Sequence, residues 1–234
     1  MALTDNLIAY WKLDEASGDA LDAHSTNNLT DTNTVTNGTG KINGARQFTR
    51  ANNEYFTLGD NAALSTGDID FTFSIWSNTT TSASYQGMVS KGAANQEEYL
   101  LYLSAGLPEY IFRVYDGTSL KTLLGGIAPT VSGWDFIICW HDSVNNTINM
   151  QLNNGTVSSV AHTTGVIDST TGFFLGQFAD LSGSFSGLID EVGFWKRVLT
   201  SQERTDLYNS GNGLAYPFGS GGTLHTIPRP ALLG

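Results

Sequence analysis

Apolar and polar residues alternate along most of the chain. In Phe71-Thr72-Phe73-Ser74-Ile75-Trp76, the residues Phe71, Phe73 and Ile75 fall on one side and Thr72, Ser74 and Trp76 on the other. That period of two marks a strand half-buried in a sheet. Ile148, Met150 and Leu152 alternate in the same way with Asn149 and Gln151. Leu7 to Leu13 is the first such run, and Ala45 to Phe48 and Glu54 to Leu58 form two short ones around Asn52-Asn53. Further runs follow at Gly87 to Lys91, Tyr99 to Ser104, Tyr110 to Tyr115, Thr118 to Leu124, Asp135 to Trp140 and Thr147 to Leu152. Asp116-Gly117 and Asn154-Gly155 supply the positive φ that hairpin turns demand. The polar segment Asn27 to Gly44 has few large apolar side chains and is expected on the surface. Many strands, short turns and no β-α-β alternation predict an antiparallel two-sheet sandwich.

The run Gly183 to Gly213 closes the pattern. Phe185, Leu188, Ile189, Val192, Phe194 and Trp195 make a buried strand, with the carboxylates of Asp190 and Glu191 in its middle. Thr200-x-x-Glu203 then reads as a capping box, opening a helix of about two turns that carries Leu207 and Tyr208 and stops at Gly211. An Ile-Asp-Glu strand leading into such a helix resembles the terminal motif of laminin-G-like jelly rolls in the concanavalin A-like lectin and glucanase superfamily. Leu7 to Glu15, Gly44 to Phe48, Phe71 to Trp76, Trp134 with Leu152 to Gly155, and Phe173 to Gly176 resemble the family's earlier blocks in order, over about residues 5 to 218. The resemblance implies an all-β jelly-roll sandwich with one short C-terminal helix, spanning residues 1–218. It does not fix an activity, because one fold hosts several.

Composition narrows the partners. The 234 residues are 40% hydrophobic, enough for a core, and the formal net charge of −11 would repel nucleic acid. Cys139 is the only cysteine, so an internal disulfide is ruled out, and its apolar neighbours Ile138 and Trp140 predict burial. The opening MALTDNLIAYWKLDE lacks the basic start and apolar stretch of a signal peptide, and no stretch is long enough to span a bilayer.

Three chemistries are in question. Some relatives cleave β-glucans with a Glu-x-Asp-x-x-Glu strand, to which Ile189-Asp190-Glu191-Val192-Gly193 does not correspond: Leu188 and Phe194 stand where the outer carboxylates would fall. Strict alternation would moreover put Asp190 and Glu191 on opposite faces. Glu97-Glu98 is expected in a solvated loop ahead of a strand. No catalytic residue is therefore expected. The resemblance also implies a structural calcium ion held by an N-terminal loop and the Ile-Asp-Glu strand, which maps onto Asp22, Asn27 and Asp190, although Thr26 replaces the family's glycine. Sugar sites pair flat aromatic rings with polar groups, and Tyr85, Tyr102, Tyr110, Arg113 and Tyr115 on or beside the middle strands are the candidates.

After Phe218 the composition changes to Gly219-Ser220-Gly221-Gly222 and a tail with two prolines. Residues 219–234 are expected to be a flexible linker and docking tail, whose Leu224, Ile227, Leu232 and Leu233 engage neighbouring subunits of an assembly. Taken together, the sequence predicts a non-catalytic lectin-like module, glycan-directed, displayed as a decorating subunit of a phage-like virion or another particle exposed outside the cell. A purely structural subunit without sugar affinity is the alternative, with a glycoside hydrolase behind it.

Overall fold

A computed structural model describes residues 1–219. In chain order the strands are β1 (Leu7–Trp11), β2 (Thr30–Thr32), β3 (Thr36–Thr39), β4 (Gly44–Phe48), β5 (Tyr55–Leu58) and β6 (Phe71–Thr79). There follow β7 (Gln86–Ala93), β8 (Gln96–Leu103), β9 (Tyr110–Tyr115), β10 (Leu120–Leu124), β11 (Asp135–Asp142) and β12 (Thr147–Leu152). The set closes with β13 (Val157–Ala161), β14 (Phe173–Leu175), β15 (Gly187–Trp195) and the helix α1 (Ser201–Tyr208). An eight-stranded sheet runs β13-β12-β11-β6-β15-β4-β3, with β1 also on β15, and a seven-stranded sheet runs β10-β9-β8-β7-β14-β5-β2. Every pairing in both is antiparallel.

The alternation read in the sequence sets what lies between the sheets. Phe71, Phe73 and Ile75 of β6 and Ile148, Met150 and Leu152 of β12 meet Tyr99, Leu101, Phe112 and Val114 from the opposite sheet in one buried cluster. Cys139 is fully buried within it. Asparagines explain how so many short turns fit: Asn33, Asn43, Asn53, Asn95, Asn146, Asn153 and Asn154 all take the left-handed conformation.

A second apolar layer covers the outside of the eight-stranded sheet. Tyr10, Trp76, Phe136, Trp140 and Trp195 are buried there beneath α1 and the segment that follows it. Thr200 and Glu203 form the expected capping box, and Asn209, rather than Gly211, ends α1 in a left-handed turn. The Arg197 guanidinium grips both Glu203 oxygens at 2.7 and 2.8 Å. Burial works to raise the Glu203 pKa, but Arg197 and the Thr200 N–H and hydroxyl outweigh it and hold the carboxyl below its usual range. Beyond the helix, Tyr216 stacks on Tyr10 at 5.1 Å and Phe218 packs against Tyr10 and Trp195.

Two expectations are corrected here. The segment Asn27 to Gly44 is not merely a surface loop: it supplies an edge strand to each sheet, β2 and β3, and buries Leu29 and Val35 completely. Glu98 is not solvated either. It lies on β8, fully buried, 3.1 Å from the buried Lys91 ammonium. It accepts the Thr66 hydroxyl (2.8 Å) and the Ser169 N–H (3.0 Å), tying two loops to the sheet. An ion pair so enclosed persists because each partner neutralises the other and further hydrogen bonds complete both.

Candidate functional site

The carboxylates of β15 sit at a break in the strand. Gly187 to Ile189 pair with β4, whereas Val192 to Trp195 pair with β1, and between these partners the strand holds a bulge. Against β6, Asp190 aligns with Trp76 and Gly193 with Ser74, so β15 carries one residue more than its neighbour. Glu191 takes a φ of 49°, the left-handed turn that creates this extra residue. Ile189 and Val192 both join the inter-sheet core, which leaves Asp190 and Glu191 together on the outer face. The expectation of opposite faces is therefore wrong, because alternation holds only in an unbulged strand.

The two carboxyls are almost completely shielded from solvent, at 0% and 2% exposure. Asp190 Oδ2 accepts the Ile42 N–H at 2.9 Å, while Asp190 Oδ1 and both Glu191 oxygens lack a hydrogen-bond partner among the described residues. Burial pushes Asp190 up to about 8, with the Ile42 N–H opposing and the Glu191 charge adding to it. Burial likewise raises Glu191 to about 7, the nearby Tyr10 phenol opposing and Asp14 adding. Such groups lack the access that attack on a glycosidic bond requires.

Two of the three residues expected to hold calcium, Asp22 and Asn27, are engaged within their own loop. Asp22 Oδ1 accepts the N–H groups of Tyr10, His24 and Ser25 at 2.9–3.0 Å, and Oδ2 accepts the backbone and side-chain N–H groups of Asn27 at 3.0 and 3.1 Å. Asn27 Oδ1 in turn accepts from Asn61 at 3.1 Å. These oxygens organise the loop and leave Asp22 no free lone pair of consequence. A hard cation needs six or more oxygens, and among the described residues no three His, Cys, Asp or Glu side chains converge on a point.

The sugar candidates divide by strand parity. On β8 and β9, Tyr99, Leu101, Tyr110, Phe112 and Val114 face the core, so Tyr102, Ile111 and Arg113 face out. Tyr110 is thus corrected from a surface candidate to a core residue, 1% exposed, whose hydroxyl donates to Asp135 at 2.9 Å. Its burial pushes the phenol pKa well above the usual value, reinforced by the Asp135 charge. The structure does bring Tyr85, Tyr102 and Arg113 together. The Tyr85 and Tyr102 rings lie 6.4 Å apart, and the Arg113 guanidinium stands over the Tyr102 ring at 5.0 Å. Tyr85 is 52% exposed, and Tyr115 follows Arg113 on the same outer side, partly exposed at the end of β9. Leu224, Ile227, Leu232 and Leu233 lie outside the described residues.

The sequence reading missed the residues that extend this face. Segment 176–180 crosses the outside of β7, where a Cβ on Gly87 would collide with the backbone of Phe178. Ser90 Oγ donates to Gln177 O at 3.0 Å and fixes the crossing. Phe178 thereby reaches Tyr102, at 5.6 Å between rings, and walls a water-sized hollow of about 20 Å³ that Ser90, Glu97, Leu100, Ala179 and Asp180 also line. Gly87 and Gly183 are the sequence's hints of this close crossing, since a Cβ on either would run into Phe178.

Two stacked antiparallel sheets with one late helix define a jelly-roll sandwich. The chain belongs to the Concanavalin A-like lectin/glucanases superfamily, whose laminin-G model matches residues 50–203. No curated protein matches the chain in sequence. Among solved structures it is similar to domain 4 of AbnA, an extracellular GH43 arabinanase of Geobacillus stearothermophilus in complex with arabinotriose. That pair shares 17% identity with a TM-score of 0.68, over 86% of this chain and 97% of the other. The binding domain of Paraclostridial Mosquitocidal Protein 1 aligns at 14% identity and a TM-score of 0.73, over 90% of this chain and 53% of the other. The botulinum neurotoxin serotype D ligand binding domain, in complex with N-acetylneuraminic acid, aligns at 11% and 0.67, over 88% and 51%. The chain spans about half of each toxin domain. Likeness at these identities establishes the fold.

Proposed function

We propose that the chain is a non-catalytic glycan-binding module whose sugar face is the outer side of the seven-stranded sheet around Tyr85, Tyr102 and Arg113. The carrying observation is the half-exposed Tyr85 ring, packed against a Tyr102 ring that at 4% exposure is itself buried, with the Arg113 guanidinium beside them. Flat rings offer the apolar C–H side of a sugar a stacking surface, and the cation and nearby polar groups serve its hydroxyls. Neighbours solved with arabinotriose and with N-acetylneuraminic acid support this reading. Against hydrolysis stand the buried positions of Asp190 and Glu191.

The test is a glycan array with the intact chain, followed by titration of each hit. Tyr85→Ala is expected to weaken retention about tenfold, since an aromatic contact of about 1.4 kcal/mol corresponds to that factor. Reducing ends should stay constant during incubation. Retention of no glycan, or release of product, would reject the proposal.

Display on a phage-like particle is the second part of the reading, and the composition of residues 219–234 alone favours it. Deleting those residues should abolish incorporation into the particle while leaving sugar retention intact. Full incorporation of the shortened chain would reject docking through residues 219–234.

A further inference from the structure

We infer that Arg113 makes the tyrosine face selective for sugars that carry a carboxylate, a hexuronate or a sialate. This rests on the glycan reading above and names the substrate class within it. Arg46, Arg50, Arg197 and Arg204 each donate to a carbonyl or carboxylate oxygen of the fold. Among the described residues Arg113 has no such acceptor and no ion pair, and its Nε is buried without a partner. What holds it is the Tyr102 ring, 5.0 Å from the guanidinium. A guanidinium stacked on a ring keeps the N–H donors at its edge available, and its fork is set before a ligand arrives.

A carboxylate matches that fork with two parallel charge-assisted bonds and brings the countercharge that Arg113 lacks, whereas a single hydroxyl takes one bond and brings none. The half-exposed Tyr85 ring, 6.4 Å from Tyr102, receives the apolar side of the sugar, which lies on an open face and needs no cavity. The cross-strand neighbours of Arg113 are Leu100 and Thr122, neither of them charged. Glu97 and Glu109 do act on Tyr102, yet the Arg113 charge outweighs either of them there. Both are drawn elsewhere, Glu97 by the Asn95 N–H at 3.0 Å and Glu109 by the Gly126 N–H at 2.6 Å. The net charge of −11 opposes an anionic ligand at a distance. At physiological ionic strength that field is screened beyond about 8 Å, while a contact pair on a partly buried guanidinium is screened far less, so the local chemistry decides.

The experiment titrates the intact chain, at constant ionic strength, with oligogalacturonates and sialyl-oligosaccharides, with the methyl esters of both, and with neutral galacto- and arabino-oligosaccharides. The esters keep the ring and remove the charge. Arg113→Met, Arg113→Lys and Tyr85→Ala are compared with the parent, and melting curves confirm that each variant is folded. In the parent, at least one of the free acids should bind at least tenfold more tightly than its ester, and which acid does so tells a hexuronate from a sialate. Arg113→Met, which keeps a stem on Tyr102, should bring the acids down to the level of the esters and leave the esters as they were. Arg113→Lys, which keeps the charge without the fork, should retain part of the preference. If esters and neutral glycans bind as well as the acids and Tyr85→Ala loses them all, the carboxylate selectivity is overturned although the tyrosine face stands. An acid preference that survives Arg113→Met would overturn the role of Arg113. If the parent retains no glycan at all, both readings fall together.

Discussion

Asp190 and Glu191 make the stability of the chain depend on pH. Their carboxyls titrate at about 8 and about 7 in the folded chain, chiefly because burial disfavours the charge. In the unfolded chain both titrate at roughly 4. Between those limits the folded state holds more protons than the unfolded one, so stability falls as pH rises. The contribution is complete below about pH 4 and gone above about pH 8, and because the two groups interact the loss belongs to the pair. The double variant Asp190→Asn, Glu191→Gln should flatten this part of the profile, which melting temperatures from pH 4.5 to 8.5 would reveal. Calcium is tested on the same profile, because its binding to the deprotonated pair would raise the melting temperature at high pH and chelator would reverse the rise; without such a site both additions leave the parent's profile unchanged. A rise in melting temperature with calcium that Asp190→Asn removes would place the ion at this pair.

The bulge in β15 sets the behaviour of that element. Gly193 follows it without a side chain, and a Cβ there would run into the rings of Trp195 and Tyr10. Gly193→Ala should therefore destabilise by about 1–3 kcal/mol, the usual cost of overpacking, as urea unfolding would measure. Strands were legible in the sequence wherever alternation was uninterrupted, as in Phe71 to Trp76 and Thr147 to Leu152. Gly187 and Gly193, on either side of the two carboxylates, allow a bulge in this strand, but nothing local places it at Glu191, which is neither glycine nor asparagine. Tyr110 is a different kind of miss. Its parity with Phe112 and Val114 already assigned it to the core, and grouping it with Arg113 and Tyr115 ignored the pleat. Glu97 and Phe178 meet only because segment 176–180 crosses a strand far away in sequence, which no local pattern encodes.

At the scale of the whole molecule, α1 and the segment after it cover one outer face of the sandwich, and segment 176–180 covers part of the other. Tyr216 and Phe218 complete the cover, so a chain ending at Gly213 should lose about 2–3 kcal/mol from exposing Tyr10 and Trp195. A chain ending at Gly219 should melt like the parent, and calorimetry of the two truncations would separate these outcomes. Because Phe218 rests on the far side of the molecule from Tyr85 and Tyr102, anything attached beyond it emerges from the back. An attachment made at Phe218 would thus leave Tyr85 on the side turned away from it.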